Sequence, residues 1–368
     1  MAKETKPTQA KPKAPLGWVL LTVVLAFPLG WGVLWLVQAG IDQIWLEYER
    51  PAWFVIAVPV VAAFAVFAIR RFLGDDGHEP LKGIAVSSLV PREYVNVILA
   101  IVLTLLGGLV LGPEVAMVAT GSVVGTVIAR WRKVAAVDDL ASWGAFAAIL
   151  ALFAGPILTG GLAVSPSGDI SAWTAMLIAI PVGIVAAAVI QAARALGWLT
   201  FKAAGSGPNI WVLLGAALVV GLGAVILNAA TGADISYIVT SGEGQVRYLA
   251  TETSVALVVS VLVMKSVAYG VSLGAGFRGG PFFPAMFIGA AAGLLLALLL
   301  PDTLPTSAAV VAGVVAATVG TAAMSWRVAL LLGAVIGFAF GSWVMVPAGL
   351  VAGAAARALP RFADRLAK

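Results

Sequence analysis

The chain of 368 residues is 61% hydrophobic and 11% charged, with a mean hydropathy of +1.06, which excludes a soluble fold of ordinary composition and makes lipid its solvent. A net charge of +5 and a pI near 9.6 would suit a nucleic-acid partner, but the basic residues flank the apolar stretches, so no nucleic acid is expected. The absence of cysteine and the single histidine, His78, exclude disulfides, thiol nucleophiles and a histidine metal cluster; no metal and no cofactor are expected.

In chain order, residues 1–15 read as a basic tail, with Lys3, Lys6, Lys11 and Lys13 against Glu4. Apolar segments long enough for a spanning helix of about 20 residues then begin near Leu16, Trp53, Val95, Trp143, Trp173, Ile210, Val255, Phe282, Ala308 and Ala329. The lengths, and the lack of alternating ten-residue patterns, predict an all-α polytopic protein and not a barrel. The first segment is long and lacks a small-residue cleavage site, so it reads as a retained helix; no appended soluble domain is expected. Lysines before the first span, Arg70, Arg71 and Lys82 after the second, and Arg357, Arg361, Arg365 and Lys368 at the end place both termini in the cytoplasm of a multi-pass inner-membrane protein. Asp42, Glu47 and Glu49 fall on the opposite side.

A polar, flexible stretch at 201–209 divides a first membrane repeat, 16–200, from a second, 210–359, with a basic tail at 360–368. Each half contains one unusual segment. Gly112-Pro113-Glu114 opens the first and Gly280-Pro281-Phe282 the second, 168 residues apart, and glycines follow each opening at the same spacings, Gly121 and Gly125, Gly289 and Gly293. Duplicated halves with helices broken at mid-membrane create ion sites, because half-helix N-termini present N–H groups and a positive dipole end. The alternative is that these small residues only let helices pack closely.

Glu114 follows a long apolar run, where a carboxylate costs about 2.5–3.5 kcal/mol or more unless neutral, paired or facing water. Pro113 suits a first helical turn, which would set Glu114 beside the N–H groups of Val115, Ala116 and Met117. Its carboxylate either competes with a mobile anion for a site lined by N–H groups, coupling protons to anions, or only offsets a buried dipole. On the second segment, Gly279, Gly280 and Pro281 break the backbone before Phe282, Phe283 and Pro284, and the N–H groups of the two phenylalanines are candidate anion donors; otherwise the pair is core. Lys265 and Arg278 either raise local anion concentration or snorkel to an interface.

These residues resemble the CLC family of chloride channels and chloride/proton antiporters. Lys265 to Tyr269, Ser272 to Gly276 and Gly279 to Pro284 are similar to its K…LxxGSG…GGxFxP stretch; Gly112 to Ala116 takes the place of G(K/R)EGP; and Phe153 to Pro156 is similar to FNAPL. The resemblance implies two inverted-topology repeats with broken, re-entrant helices meeting near mid-membrane, a homodimer in lipid, chloride or a similar anion as substrate, possible proton coupling, and Glu114 as the gating carboxylate. The departures are specific. Pro113 replaces the basic residue of the first motif, and Val115-Ala116 its Gly-Pro. The serine motif should fall at Asp76 to Pro80, where Gly77, His78 and Pro80 form a candidate inner entrance without serine, beside Asp75 and Glu79; His78 either titrates there or is an ordinary loop histidine. Val164 to Ser167 lack the internal proton-passing glutamate, and the last helix lacks the central tyrosine. A passive chloride channel and an antiporter using another proton route both stay open, and none of the fluoride branch's alternative motifs is present.

A membrane enzyme lacks its chemistry here, with no HExxH, GxSxG or paired aspartates in apolar segments, so no enzymatic activity is expected. A scaffold would not require the paired breaks. A cation carrier would use C-terminal carbonyls at the site, whereas Gly-Pro at the start of both segments argues for N-termini.

Overall fold

The computed structural model describes residues 12–75, 77, 79–83, 86–159, 171–205 and 207–367. The segment 164–167, Asp76, His78 and Asp169 lie outside the described residues, as does the start of the basic tail. Among the described residues the chain is helical, without strands. Its helices are α1 (Leu16–Ile41), α2 (Ala52–Ala68), α3 (Pro91–Leu106), α4 (Glu114–Trp131), α5 (Val137–Thr159), α6 (Ala172–Ala204), α7 (Ile210–Thr231), α8 (Val246–Leu249), α9 (Val255–Gly274), α10 (Phe282–Leu299), α11 (Thr306–Gly320), α12 (Trp326–Gly341) and α13 (Val346–Ala358).

All ten expected span starts fall on helices, and seven helices among the described residues are long and apolar enough to cross a membrane. α3, α11 and α12 are shorter, at 15 or 16 residues. One expected boundary shifts. α6 continues to Ala204, four residues into the expected linker, since Thr200 to Ala204 contain no residue that stops a helix before Gly205, whose φ of 78° ends it. In the expected C-terminal tail, a turn at Phe362–Ala367 docks on α6, with Arg194 bonded to Asp364 and the Gln191 side chain accepting from the Ala363 N–H.

Burial sorts the helices. α4, α10 and α11 are enclosed nearly all round, whereas α1, α2 and α7 present apolar residues such as Leu20, Trp35, Phe64 and Leu222 outward, as lipid-facing helices do. Trp53, Trp173 and Trp211 are exposed at helix starts, the usual level of an interfacial aromatic belt.

The repeated glycines explain how central helices come so close. The Gly121 Cα faces the Gly144 carbonyl and Gly125 faces that of Leu140, joining α4 to α5; Gly289 faces Gly313 and Gly293 faces Ala309, joining α10 to α11 in the same way. Close helix packing is therefore the role of the later glycines in each segment, while Gly112 and Gly280 lie at the breaks. A Cβ at Gly289 would strike the α11 backbone, which no rotamer can relieve. Gly289→Ala should cost about 1–3 kcal/mol, read as a lower thermal-unfolding midpoint in detergent, whereas Gly215→Ala, with open space around it, should leave the midpoint unchanged or higher.

Candidate anion site

Among the described residues four helices start with a side-chain cap, whereas α1, α2, α4, α10 and α11 start after a proline. The side chains of Ser171, Asn209, Ser254 and Ser325 accept N–H bonds at the starts of α6, α7, α9 and α12. α4 and α10 start instead after Pro113 and Pro281, which have no side chain to offer. The first N–H groups of a helix have no intrahelical acceptor, so both buried starts need a partner from elsewhere.

The two breaks meet. Gly112 and Gly280 form an antiparallel bridge, with the Gly112 N–H donating to Gly280 at 2.7 Å and the Gly280 N–H donating to Gly112 at 2.6 Å. Glu114 reaches across it: Oε1 accepts from the N–H of Phe282 and from that of Phe283, each at 2.7 Å. The carboxylate thus caps the N-terminus of the other repeat's helix, because the bridge brings the α10 start to the Glu114 side chain. These are short bonds in a buried setting, since Glu114 is only 2% exposed. A Cβ at Gly112 or at Gly280 would overlap the carboxylate, so a side chain at either position would displace Glu114 from the α10 N–H groups. Val115 and Ala116 are buried at the start of α4 beside it.

Residues outside the expected set hold the breaks in place. Tyr269 of α9, fully buried, donates its hydroxyl to the Pro281 carbonyl at 2.9 Å, and Ser272 Oγ accepts from the Val110 N–H at 3.2 Å. Thr104 Oγ1 accepts from the Arg278 N–H at 3.3 Å, and the Thr240 N–H donates to Gly108 at 2.8 Å. Tyr269 and Ser272 fall inside the stretch similar to K…LxxGSG…GGxFxP, whereas Thr104 was marked only by its polarity on an otherwise apolar helix. Pro284 lies buried in the first turn of α10, where its missing N–H costs nothing.

Two basic residues differ from expectation. Lys265 does not snorkel: it is fully buried, and Nζ donates to the carbonyls of Ile238, Val239 and Thr240 at 3.0, 3.1 and 2.8 Å while lying 5.0 Å from the Phe287 ring centre. A buried ammonium needs such acceptors, and the turn before α8 supplies them. Arg278 is likewise buried, with Nη2 at 2.5 Å from Asp75, which Arg70 also holds. The entrance is therefore less acidic than the local sequence implied, since Asp75 faces two guanidiniums and Glu79 is 2.8 Å from Lys82. Burial pushes the Asp75 carboxyl up, but hydrogen bonds and charge from Arg70 and Arg278 outweigh it and hold it below the usual range. Gly77 has a φ of 99°, and Pro80 opens a buried turn, Pro80–Lys82; His78 lies outside the described residues. The last helix, α13, has no tyrosine.

A buried constellation of two half-helix starts, tied across a glycine bridge in a multi-pass helical protein, defines a membrane ion-transport protein. The family described as "voltage gated chloride channel" matches residues 162–361, more than half of the chain, and the protein belongs to that CLC family. The match includes Gly279 to Pro284 but not the altered segment at Glu114. The chain is 28% identical over 300 residues to YfeO of Salmonella choleraesuis, provisionally named an ion-transport protein, and equally to that of Salmonella typhimurium, covering 69% of this chain and 71% of each relative. Its fold is similar to that of a slow cyanobacterial Cl⁻/H⁺ antiporter (TM-score 0.70, 16% identity, 94% of both chains). A CLC-type fluoride/proton antiporter is also similar (TM-score 0.63, 16% identity, 92% of this chain and 93% of that one).

Replacing Lys265 with Met should remove the donor to three buried carbonyls and lower stability by at least about 2 kcal/mol, measured by thermal unfolding. Tyr269→Phe, which deletes one hydrogen bond, should cost about 1 kcal/mol.

Proposed function

We propose that the protein carries chloride or a similar small anion across the membrane, with Glu114 as the gating carboxylate. The observation that carries this reading is the occupancy of the two α10 N–H groups by Glu114 Oε1. Backbone N–H groups at a helix start attract anions without a full positive charge, so a bound ion can also leave. Chloride would compete for the donors that the carboxylate now holds. When Glu114 is ionised and inward the path is closed; protonation or displacement releases the N–H pair to the mobile anion. The N–H groups of Val115 and Ala116 lie on the adjoining helix start and would receive the ion beside them.

Exchange of anion against proton follows if the proton that Glu114 takes up is released to the other side, and the fold neighbours described as Cl⁻/H⁺ and fluoride/proton antiporters favour this reading over a passive channel. With no serine at 76–80 and no tyrosine on α13, the proton route and inner gate would be this chain's own. In the cell the protein would sit as a homodimer in the inner membrane with both termini cytoplasmic.

Purified protein in liposomes tests the proposal. A chloride gradient should drive protons uphill in wild type. Glu114→Gln should abolish proton movement and make anion flux independent of pH. Chloride flux with no proton movement in wild type would leave a passive channel; unaltered anion and proton fluxes in the variant would make Glu114 a structural cap.

A further inference from the structure

The Pro281–Phe282 peptide is gripped from both sides. Its N–H donates to Glu114 Oε1 at 2.7 Å, and its carbonyl accepts from the Tyr269 hydroxyl at 2.9 Å. The two peptide groups lie in one plane and point in opposite directions, so hydroxyl and carboxylate act on the same rigid unit. The chain leading to this unit does little to fix it: Gly276 has a φ of 102°, and Gly279 and Gly280 follow. Tyr269 is fixed by its own helix. α9 sets Gly270 and Gly274 against the Ala193 and Gly197 carbonyls of α6, and Tyr269 between them and the break is fully buried. At the starts of α4 and α9 the corresponding carbonyls, of Pro113 and Ser254, accept the helix's own N–H groups, from Met117 and Val258 at 3.2 and 3.0 Å. At α10 that carbonyl carries a side-chain hydroxyl from another helix.

We propose that Tyr269 is a positioning residue of the anion site: its hydroxyl orients and polarises the Pro281–Phe282 peptide and so sets how tightly the Phe282 N–H holds a small anion. This rests on the anion-transport reading of the Glu114 site and adds to it the group that tunes its affinity. A hydroxyl donating to a peptide carbonyl draws electron density toward the oxygen and makes the N–H on the far side a stronger donor. In a buried setting such linked bonds strengthen one another by about 10–30% each. Rotation of the peptide plane would also turn the N–H away from its acceptor, and the hydroxyl opposes that rotation. Both effects serve whichever acceptor stands at the N–H, the Glu114 carboxylate or the anion that displaces it. Neither adds a formal charge to the site, so a bound ion can still leave.

The test reads sodium bromide binding, with sodium gluconate as control, and one amide signal in the detergent-solubilised full chain. The sequence has a single Pro-Phe step, so carbonyl-¹³C proline with ¹⁵N phenylalanine reports the Pro281–Phe282 peptide alone. In the Glu114→Gln background, Tyr269→Phe should weaken bromide binding about threefold or more and move the Phe282 amide proton upfield. Tyr237→Phe deletes another buried tyrosine's hydroxyl bond of the same 2.9 Å length, to Glu252, and should change neither. Ring-fluorinated tyrosine at position 269, a stronger donor, should shift both readings the opposite way, and it decides the matter if Tyr269→Phe does not fold. A folded Tyr269→Phe that binds bromide as tightly as its parent overturns the proposal. So does weaker binding with the amide proton unmoved, or an equal loss in Tyr237→Phe, since either would be a general loosening of the fold. The two readings fail separately: absence of bromide binding in Glu114→Gln would end the anion reading of the site, whereas bromide bound equally well with and without the Tyr269 hydroxyl would end this inference alone.

Discussion

The Gly112–Gly280 bridge is the contact from which the rest of the site follows. In hydrocarbon a broken helix is tolerated only where its freed backbone groups find partners inside the protein. Here each break supplies the other with a donor and an acceptor, and the lack of side chains at both glycines leaves room for the Glu114 carboxylate. Once the backbones are that close, a side chain two residues beyond one glycine can reach the helix start two residues beyond the other. Glu114 and the N–H groups of Phe282 and Phe283 meet for that reason.

The supports around the bridge are polar groups placed where lipid would never tolerate them alone. Tyr269, Ser272 and Thr104 each satisfy one backbone group of a break, and Lys265 satisfies three carbonyls of the turn before α8. Each is affordable only because it is fully partnered. The close packing of α4 on α5 and of α10 on α11, through glycines facing backbone carbonyls, then encloses the arrangement on its remaining sides.

Much of the fold was legible in the sequence because lipid imposes a length and a composition on each span; the ten apolar segments all became helices. The two Gly-Pro openings marked the breaks, and Glu114 marked the site by its improbability in an apolar run. The partner of Glu114 was not legible: local geometry pointed to its own helix start, and only the contact between segments 168 residues apart redirects it to the other. Lys265 and Arg278 show the same limit. A basic residue in an apolar segment reads as an interface anchor until its distant acceptors, the carbonyls at 238–240 or Asp75, are known. Tyr269 lies in the family-like stretch, but nothing local shows that its hydroxyl reaches the Pro281 carbonyl.

The bridge also limits how such a molecule can move. Sliding or rocking one repeat against the other would break two backbone hydrogen bonds and both carboxylate bonds together, with no water to replace them. Rotation of one side chain about its own bonds breaks only the latter two. On the gating proposed for Glu114, the frame would be a stator and the moving part a few atoms of carboxylate, with cycling speed set by how quickly that group leaves its pair of N–H donors and returns.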